Sequence, residues 1–285
     1  MGSGSYSTEL RSTRAISDGY YTKSSTEIFS QRSINNAMSP YGINVRESCD
    51  SEEHPNTVPI IVALDVTGSM GSIPHDLVKN GLPTMMDTIL KHNIKDPQVL
   101  FLAIGDHEYD STPLQVGQFE SSDELLDSWL TKVYIEGGGG GNDGESYLLA
   151  WYFGANHTKI DSFEKRNKKG FLFTIGDEPT LKSIPSNTIK NIMGIEQSGK
   201  IDADDVLKKV MEKYHVFHLH IKETRSGSRQ YVIDGWKQLM SDGLIVVNNK
   251  SDIPTIIAET VVKYSTNKSS IVESKINEQS NEILL

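Results

Sequence analysis

The segment Val58–Val66 (VPIIVALDV) constrains this chain more than any other feature. It is almost continuously apolar, and its one charged residue, Asp65, stands close to its end. A strand with one wet face alternates apolar and polar residues, whereas a strand covered on both faces has no need to. The run therefore reads as a central strand of a parallel sheet, which requires helices to cover it. Further apolar runs follow at Gln98–Ile104, Phe171–Ile175, Val216–Ile221 and Leu244–Val247, with Leu114–Phe119 as a short edge strand. Helical spacing separates them. Ile73, Leu77, Leu82, Met85, Met86, Ile89 and Leu90 mark one helix, with Pro74 suited to its first turn and Pro83 expected to kink it. Ser122–Tyr134 reads as a second, capped by Ser121 or Ser122. A third opens at Asn142–Glu145 and runs to about Asn156. Asp202–Tyr214, Gln230–Met240 and Ile253–Tyr264 complete the set, and Asp202, Asp204 and Asp205 favour the N-terminus of theirs.

Strand and helix alternate with connections that allow right-handed crossovers. The expected fold class is α/β: a Rossmann-like, doubly wound, mainly parallel sheet of about six strands with helices on both faces. The domain is expected to span residues 58–264. Residues 1–57, rich in Ser, Thr, Asn and Arg, read as a polar arm that is partly ordered at best, with Tyr20, Tyr21, Ile28 and Phe29 available to pack on the domain. Glu53-His54-Pro55-Asn56 is a turn before the first strand. Residues 265–285 read as a polar tail.

Charge narrows the function. The 285-residue chain carries a formal net charge of −10, which disfavours a protein built to grip nucleic-acid phosphates. Lys165-Arg166 and Lys168-Lys169 read as solvated loop charges. Cys49 is the single cysteine, so no intramolecular disulfide forms and a reducing compartment is the simplest setting. No apolar run of about 18 residues exists to span a membrane, and Met1–Thr8 lacks a signal-peptide core and the myristoylation pattern. The expectation is a cytoplasmic protein.

In open α/β sheets, ligands collect at the carboxyl ends of the strands, near the switch in strand order. Asp65, Asp106 and Asp177 all fall at such ends. Asp65-Val66-Thr67-Gly68-Ser69 is the most informative stretch. A carboxylate followed by hydroxyls at steps two and four puts three oxygen-bearing side chains around one turn, which suits a hard cation. The competing explanation is an ordinary helix cap, since Asp, Thr and Ser all cap well.

This stretch resembles the first motif, Asp-x-Ser-x-Ser, of the metal-ion-dependent adhesion site of von Willebrand factor type A (VWA) domains, with Thr67 in place of the first Ser. The run GGGGNDGES resembles the second loop of those members that carry a glutamate there, as integrin β chains and several intracellular VWA proteins do. On that likeness Glu145 is the ligand, Asn142 takes a position often held by Asp, and Gly144 replaces a common Pro. Many members use Thr in this loop; none stands here, which leaves a supporting role open to Ser146. Gly176-Asp177 resembles the third loop, whose Asp completes the site, usually through water. The resemblance covers about residues 58–264 with all three loops in order, and the chain looks most like the intracellular prokaryotic or phage type.

The resemblance implies a cation, Mg²⁺ with Mn²⁺ or Ca²⁺ as alternatives, held by Asp65, Thr67, Ser69, Glu145 and Asp177. One coordination position is left for an Asp or Glu of a protein partner, such as an AAA+ ATPase or another complex subunit. Three carboxylates leave the cation a weak activator of water, so ligation is expected rather than catalysis. The free chain is expected to be monomeric. Phe101–Glu108 resembles a strand where Asp serves a second metal, open to Asp106 with Asn142; a buried Asp106 bracing the glycine-rich loop is the preferred alternative. His218 and His220 share one strand face and read as packed histidines before a zinc pair. The glycine run Gly137–Gly141 lacks the Lys-Ser or Lys-Thr of a phosphate loop and reads as close backbone approach to the cation. Haloacid-dehalogenase phosphatases also end their first strand in Asp, but Thr67 stands where their second Asp acts. A VWA-type fold kept as a metal-independent assembly part is the other rival.

Overall fold

The structure, a computed structural model, describes residues 4–137 and 141–266. Its frame is a six-stranded sheet of β1 (Val58–Asp65), β2 (Pro97–Ile104), β3 (Leu114–Val116), β4 (Gly170–Gly176), β5 (Tyr214–Ile221) and β6 (Leu244–Val247). The spatial order is β6-β5-β4-β1-β2-β3. All pairs are parallel except β2 with β3. The chain leaves β1 toward β2 on one side and returns to β4 on the other, so strand order switches between the carboxyl ends of β1 and β4. Leu64 pairs with Ile175 across that gap.

The longer helices are α1 (Thr8–Ser17), α2 (Leu82–Lys91), α3 (Asp123–Thr131), α4 (Tyr147–Asn156), α5 (Ser186–Met193), α6 (Ala203–Lys213) and α7 (Gln230–Met240). The helix α8 covers residues 253–266. The period of two along β1 explains why both faces need cover. Ile60, Val62 and Leu64 pack into one core with Met85, Met86 and Ile89 of α2, Leu126 of α3 and Ile257 of α8. Ile61 and Ala63 point the other way, into a core with Leu148 and Trp151 of α4, Val206 and Val210 of α6 and Trp236 of α7. Helix α4 is apolar all round, with every residue from Tyr147 to Gly154 buried. That is the pattern of a helix enclosed by other elements.

The six strands stand where the apolar runs lie. Pro83 perturbs its helix in a particular way. A π-helical turn, Leu77–Gly81, precedes α2, widening the ladder just ahead of a residue that has no N–H to donate. The helix expected to open at Asn142–Glu145 begins instead at Tyr147, because Glu145 pairs its backbone elsewhere. Residues 138–140 of the glycine run and those beyond 266 in the expected tail lie outside the described residues.

The segment before β1 is not the loosely ordered arm its composition suggested. Ser7 caps α1 by accepting from the Leu10 amide, and Arg11, fully buried, reaches Asp127 of α3 at 3.0 Å and also the Val78 carbonyl. Arg14 reaches Asp123 at 2.6 Å. Ala15, Tyr20, Ile28 and Phe29 join the core, while Tyr21 is half exposed. Removing one partner of a buried ion pair strands the other charge, so Arg11 pins the segment to the domain. Among the described residues no helix is long and apolar enough to cross a membrane.

Candidate functional site

Strand β1 delivers Asp65 to the sheet edge, fully buried. Its Oδ1 accepts from the Thr67 amide at 2.9 Å and from the Thr67 hydroxyl at 2.6 Å, which folds the chain into a tight turn. A short 3-10 turn, Gly68–Met70, follows and presents Ser69 at the surface. Ser69 Oγ donates to Asp177 Oδ1 at 2.8 Å, across 108 positions of sequence. Thr67 Oγ1 lies 3.4 Å from Ser69 Oγ. Asp177 follows β4 and is also fully buried. Helix capping does not account for these hydroxyls: Thr67, at the cap position of its turn, makes no side-chain capping bond. Both hydroxyls turn to carboxylates instead.

The second oxygen of Asp65 is held as well. Tyr147, the first residue of α4, donates its hydroxyl to Asp65 Oδ2 at 2.8 Å. Glu145 reaches the area from the preceding loop. Its amide donates to the Pro179 carbonyl at 2.9 Å, and its own carbonyl accepts from Leu181 at 2.9 Å. This short parallel bridge ties the loop before α4 to the loop after β4. The Glu145 side chain is 5% exposed.

Two buried carboxylate oxygens, Glu145 Oε2 and Asp177 Oδ2, have no hydrogen-bond partner. A buried charge without a partner is costly. Burial first, and then the charges of Asp65, Asp110, Asp106 and Glu178, push Glu145 well above the usual carboxylate range. Burial likewise raises Asp65 to about 7, against the lowering effect of the Thr67 hydrogen bonds. Tyr147 is held neutral by burial and by the carboxylates around it.

The structure thus forms two hydrogen-bonded pairs, Thr67 on Asp65 and Ser69 on Asp177, whose hydroxyl oxygens lie 3.4 Å apart, and sets Glu145 beside them without a hydrogen bond to any. Among the described residues, no three His, Cys, Asp or Glu side chains form a ready-made metal cluster, Asp65, Glu145 and Asp177 included. Asp106, Asn142 and Ser146 belong to a different arrangement. Asp106 Oδ1 accepts from the Glu108 amide at 2.9 Å, and the Asp106 amide donates to Asp110 Oδ2 at 2.7 Å. Ser146 Oγ accepts from the His107 amide at 2.9 Å, and Asn142 donates to Glu108 Oε2 at 2.8 Å. Asp106 therefore braces its own turn rather than the glycine-rich loop. The loop contact comes from Glu108 and from Tyr109, whose ring a Cβ on Gly141 would meet at 2.3 Å.

His218 and His220 are fully buried beside this region. His218 stacks on Trp236 at 3.5 Å between ring centres and bonds Thr174 through Nδ1 at 3.0 Å; His220 Nε2 donates to the Gly227 carbonyl at 2.8 Å. Burial lowers the proton affinity of both. Both rings pack within the strand's face, and each keeps one buried nitrogen, His218 Nε2 and His220 Nδ1, with no partner. The residue that sequence reasoning missed is Tyr147. Within YLLAWYFG it looks like one more core aromatic, and nothing in the sequence separates it from Tyr152. A cavity of about 290 Å³ lies against the opposite face of β1 and β4, lined by Leu64, Ile73, Leu77, Ile175, Ile253 and Pro254 among others, and reaches none of these polar groups.

No known family model matches the chain, and no curated protein matches it. Among solved structures it is similar to the pilus adhesin SpaC from Lactobacillus rhamnosus GG in its open conformation, with TM-score 0.51 and 9% identity over 76% of this chain and 31% of that one. A second form of the same adhesin gives TM-score 0.47 and 11% identity over 76% and 32%. Proximal thread matrix protein 1 from the mussel byssus gives 0.45 and 12% over 76% and 49%. The chain spans about a third of the adhesin's length. At such identity the likeness to the adhesin bears on the fold alone: a Rossmann-like α/β arrangement around a mostly parallel six-stranded sheet.

Proposed function

We propose that this chain is a doubly wound VWA-type domain that holds one divalent cation and uses it to bind a carboxylate of a protein partner. The single observation that carries this reading is Asp177. It is fully buried, it is bonded on one oxygen to the exposed Ser69, and its other oxygen has no partner. Thr67, Ser69, Asp65, Glu145 and Asp177 offer oxygen donors only, which is the donor chemistry of Mg²⁺ and its hard relatives. When bound, the cation would supply the counter-charge that the buried carboxylates lack, and an acceptor for one further oxygen ligand. The residues themselves account for the selectivity of the arrangement. Asp65 fixes the Thr67 hydroxyl, Asp177 fixes the Ser69 hydroxyl, and Ser69 opens the assembly to solvent and hence to a partner.

The partner class is a protein segment that presents Asp or Glu, in a complex such as one built around an AAA+ ATPase. Three nearby carboxylates favour reversible ligation over hydrolysis, and Thr67 in place of a second acid argues against a phosphatase of the haloacid-dehalogenase type. One observation favours a second reading, a metal-independent assembly part. The hydroxyls of Thr67 and Ser69 already have carboxylate acceptors within the protein.

Thermal melting with Mg²⁺, with Mn²⁺ and with chelator separates the two. A cation that binds only the folded chain stabilises it by mass action, about 2.7 kcal/mol at one hundred times its dissociation constant. Identical melting in all three conditions would favour the assembly reading. A pull-down with and without chelator, read by mass spectrometry, tests the partner; the proposal requires capture that chelator abolishes.

A further inference from the structure

We infer that Tyr147 is a positioning residue of the cation site: its hydroxyl locks the Asp65 carboxylate so that Thr67 and Ser69 present their oxygens in one fixed arrangement. The inference deepens the proposed function and rests on it. Four observations carry it. The hydroxyl donates to Asp65 Oδ2 at 2.8 Å, with both residues fully buried. Asp65 Oδ1 is already taken by Thr67, so the tyrosine bond removes the carboxylate's remaining rotational freedom. The ring cannot drift, because Trp236 and His218 meet it edge to face at 5.5 and 5.1 Å. Finally, Gly176 at the end of β4 makes room for the phenol end of this ring: a Cβ there would stand 1.7 Å from the hydroxyl oxygen and 2.5 Å from the carbon that bears it. Asp177 is the next residue, so one contact registers α4, β1 and the turn after β4 against each other.

Ordinary core packing explains a buried tyrosine ring and the room that Gly176 leaves for it, but not a hydroxyl that donates to a buried carboxylate. Groups that orient metal ligands from behind typically change metal affinity by about 10–100-fold when removed. Tyr147→Phe keeps the ring and removes only the donor. Tyr152→Phe is the control. It lies on the same helix, and its hydroxyl bonds Gln197 at 3.1 Å, away from the carboxylates.

The experiment is calorimetric titration of the whole chain and both variants with Mg²⁺, alongside melting in chelator. The expected result is a Mg²⁺ dissociation constant at least about tenfold weaker for Tyr147→Phe and unchanged for Tyr152→Phe, with both variants still melting cooperatively in chelator. Equal affinity in Tyr147→Phe and the unsubstituted chain would overturn the inference while leaving the cation site standing. No binding by the unsubstituted chain would overturn both. Should Tyr147→Phe fail to fold, Gly176→Ala attacks the same contact from the strand and is expected to weaken Mg²⁺ binding as well; unchanged affinity in that variant overturns the inference.

Discussion

Two acidic clusters sit at the carboxyl edge of the sheet, and they use their oxygens differently. Beyond β2, Asp106, Asp110 and Ser146 accept from backbone amides, and Asn142 satisfies Glu108. Among the described residues, none of Asp106, Asn142 and Ser146 has a buried side-chain atom without a partner. Between β1 and β4 the carboxylates of Asp65 and Asp177 hold hydroxyls, and Asp177 and Glu145 each retain a buried oxygen with nothing bonded to it. The first cluster shapes a turn. The second is electrostatically incomplete. Between these two clusters the difference lies in the partners and not in the number of acids.

The largest expected difference lies in the response to cation. Saturating Mg²⁺ should raise the melting temperature by roughly 5–10 °C, and Asp177→Ala should abolish that rise, as should Asp65→Ala. A residual shift in Asp177→Ala equal to that of the unsubstituted chain would erase the distinction between the clusters.

Acidity should sharpen it next. Folding raises Asp65 to about 7, so the folded chain binds a proton that the unfolded chain has already released between about pH 4 and 7. Stability without cation therefore falls as pH rises through that window, by up to about 1.4 kcal/mol per unit from this group. Cation competes with that proton, so its stabilising effect should grow over the same range. Denaturant unfolding at pH 5, 6 and 7, with and without Mg²⁺, measures both slopes, and a cation effect that shrinks with pH would count against the assignment.

Smaller effects belong to the brace. Ser146→Ala removes the acceptor of the part-buried His107 amide and should cost about 0.5–1.5 kcal/mol with the Mg²⁺ shift intact. Asp106→Ala should cost about 1 kcal/mol by loss of the bond to Glu108, again with the shift intact. Loss of the shift in either variant would mean that the two clusters act as one.

The sheet was legible because its information is local. An apolar run such as Val58–Val66 marks a central strand, and β2 and β4 carry runs of the same kind that are buried throughout, whereas the equally apolar β6 is only partly covered. Asp65, Thr67 and Ser69 were legible for the same reason, since one turn brings them together. Residues 7–20 were not. Ser7 and Glu9 are ordinary helix-start residues, but what holds α1 is Arg11 on Asp127, 116 positions away, and no periodicity encodes a single long-range ion pair. The start of α4 was misplaced because Glu145 pairs its backbone with Pro179 and Leu181, a tertiary bond that overrides the helical preference of its neighbours. Tyr147 illustrates the same limit: only the fold sets its hydroxyl over Gly176.

The most direct measurement is anomalous diffraction at the manganese edge from crystals grown with Mn²⁺. The account predicts one peak among the oxygens of Thr67, Ser69 and Asp177, with Tyr147 still bonded to Asp65 behind it. A peak at the Asp106–Asn142 cluster instead, or none at the β1–β4 edge, would contradict it.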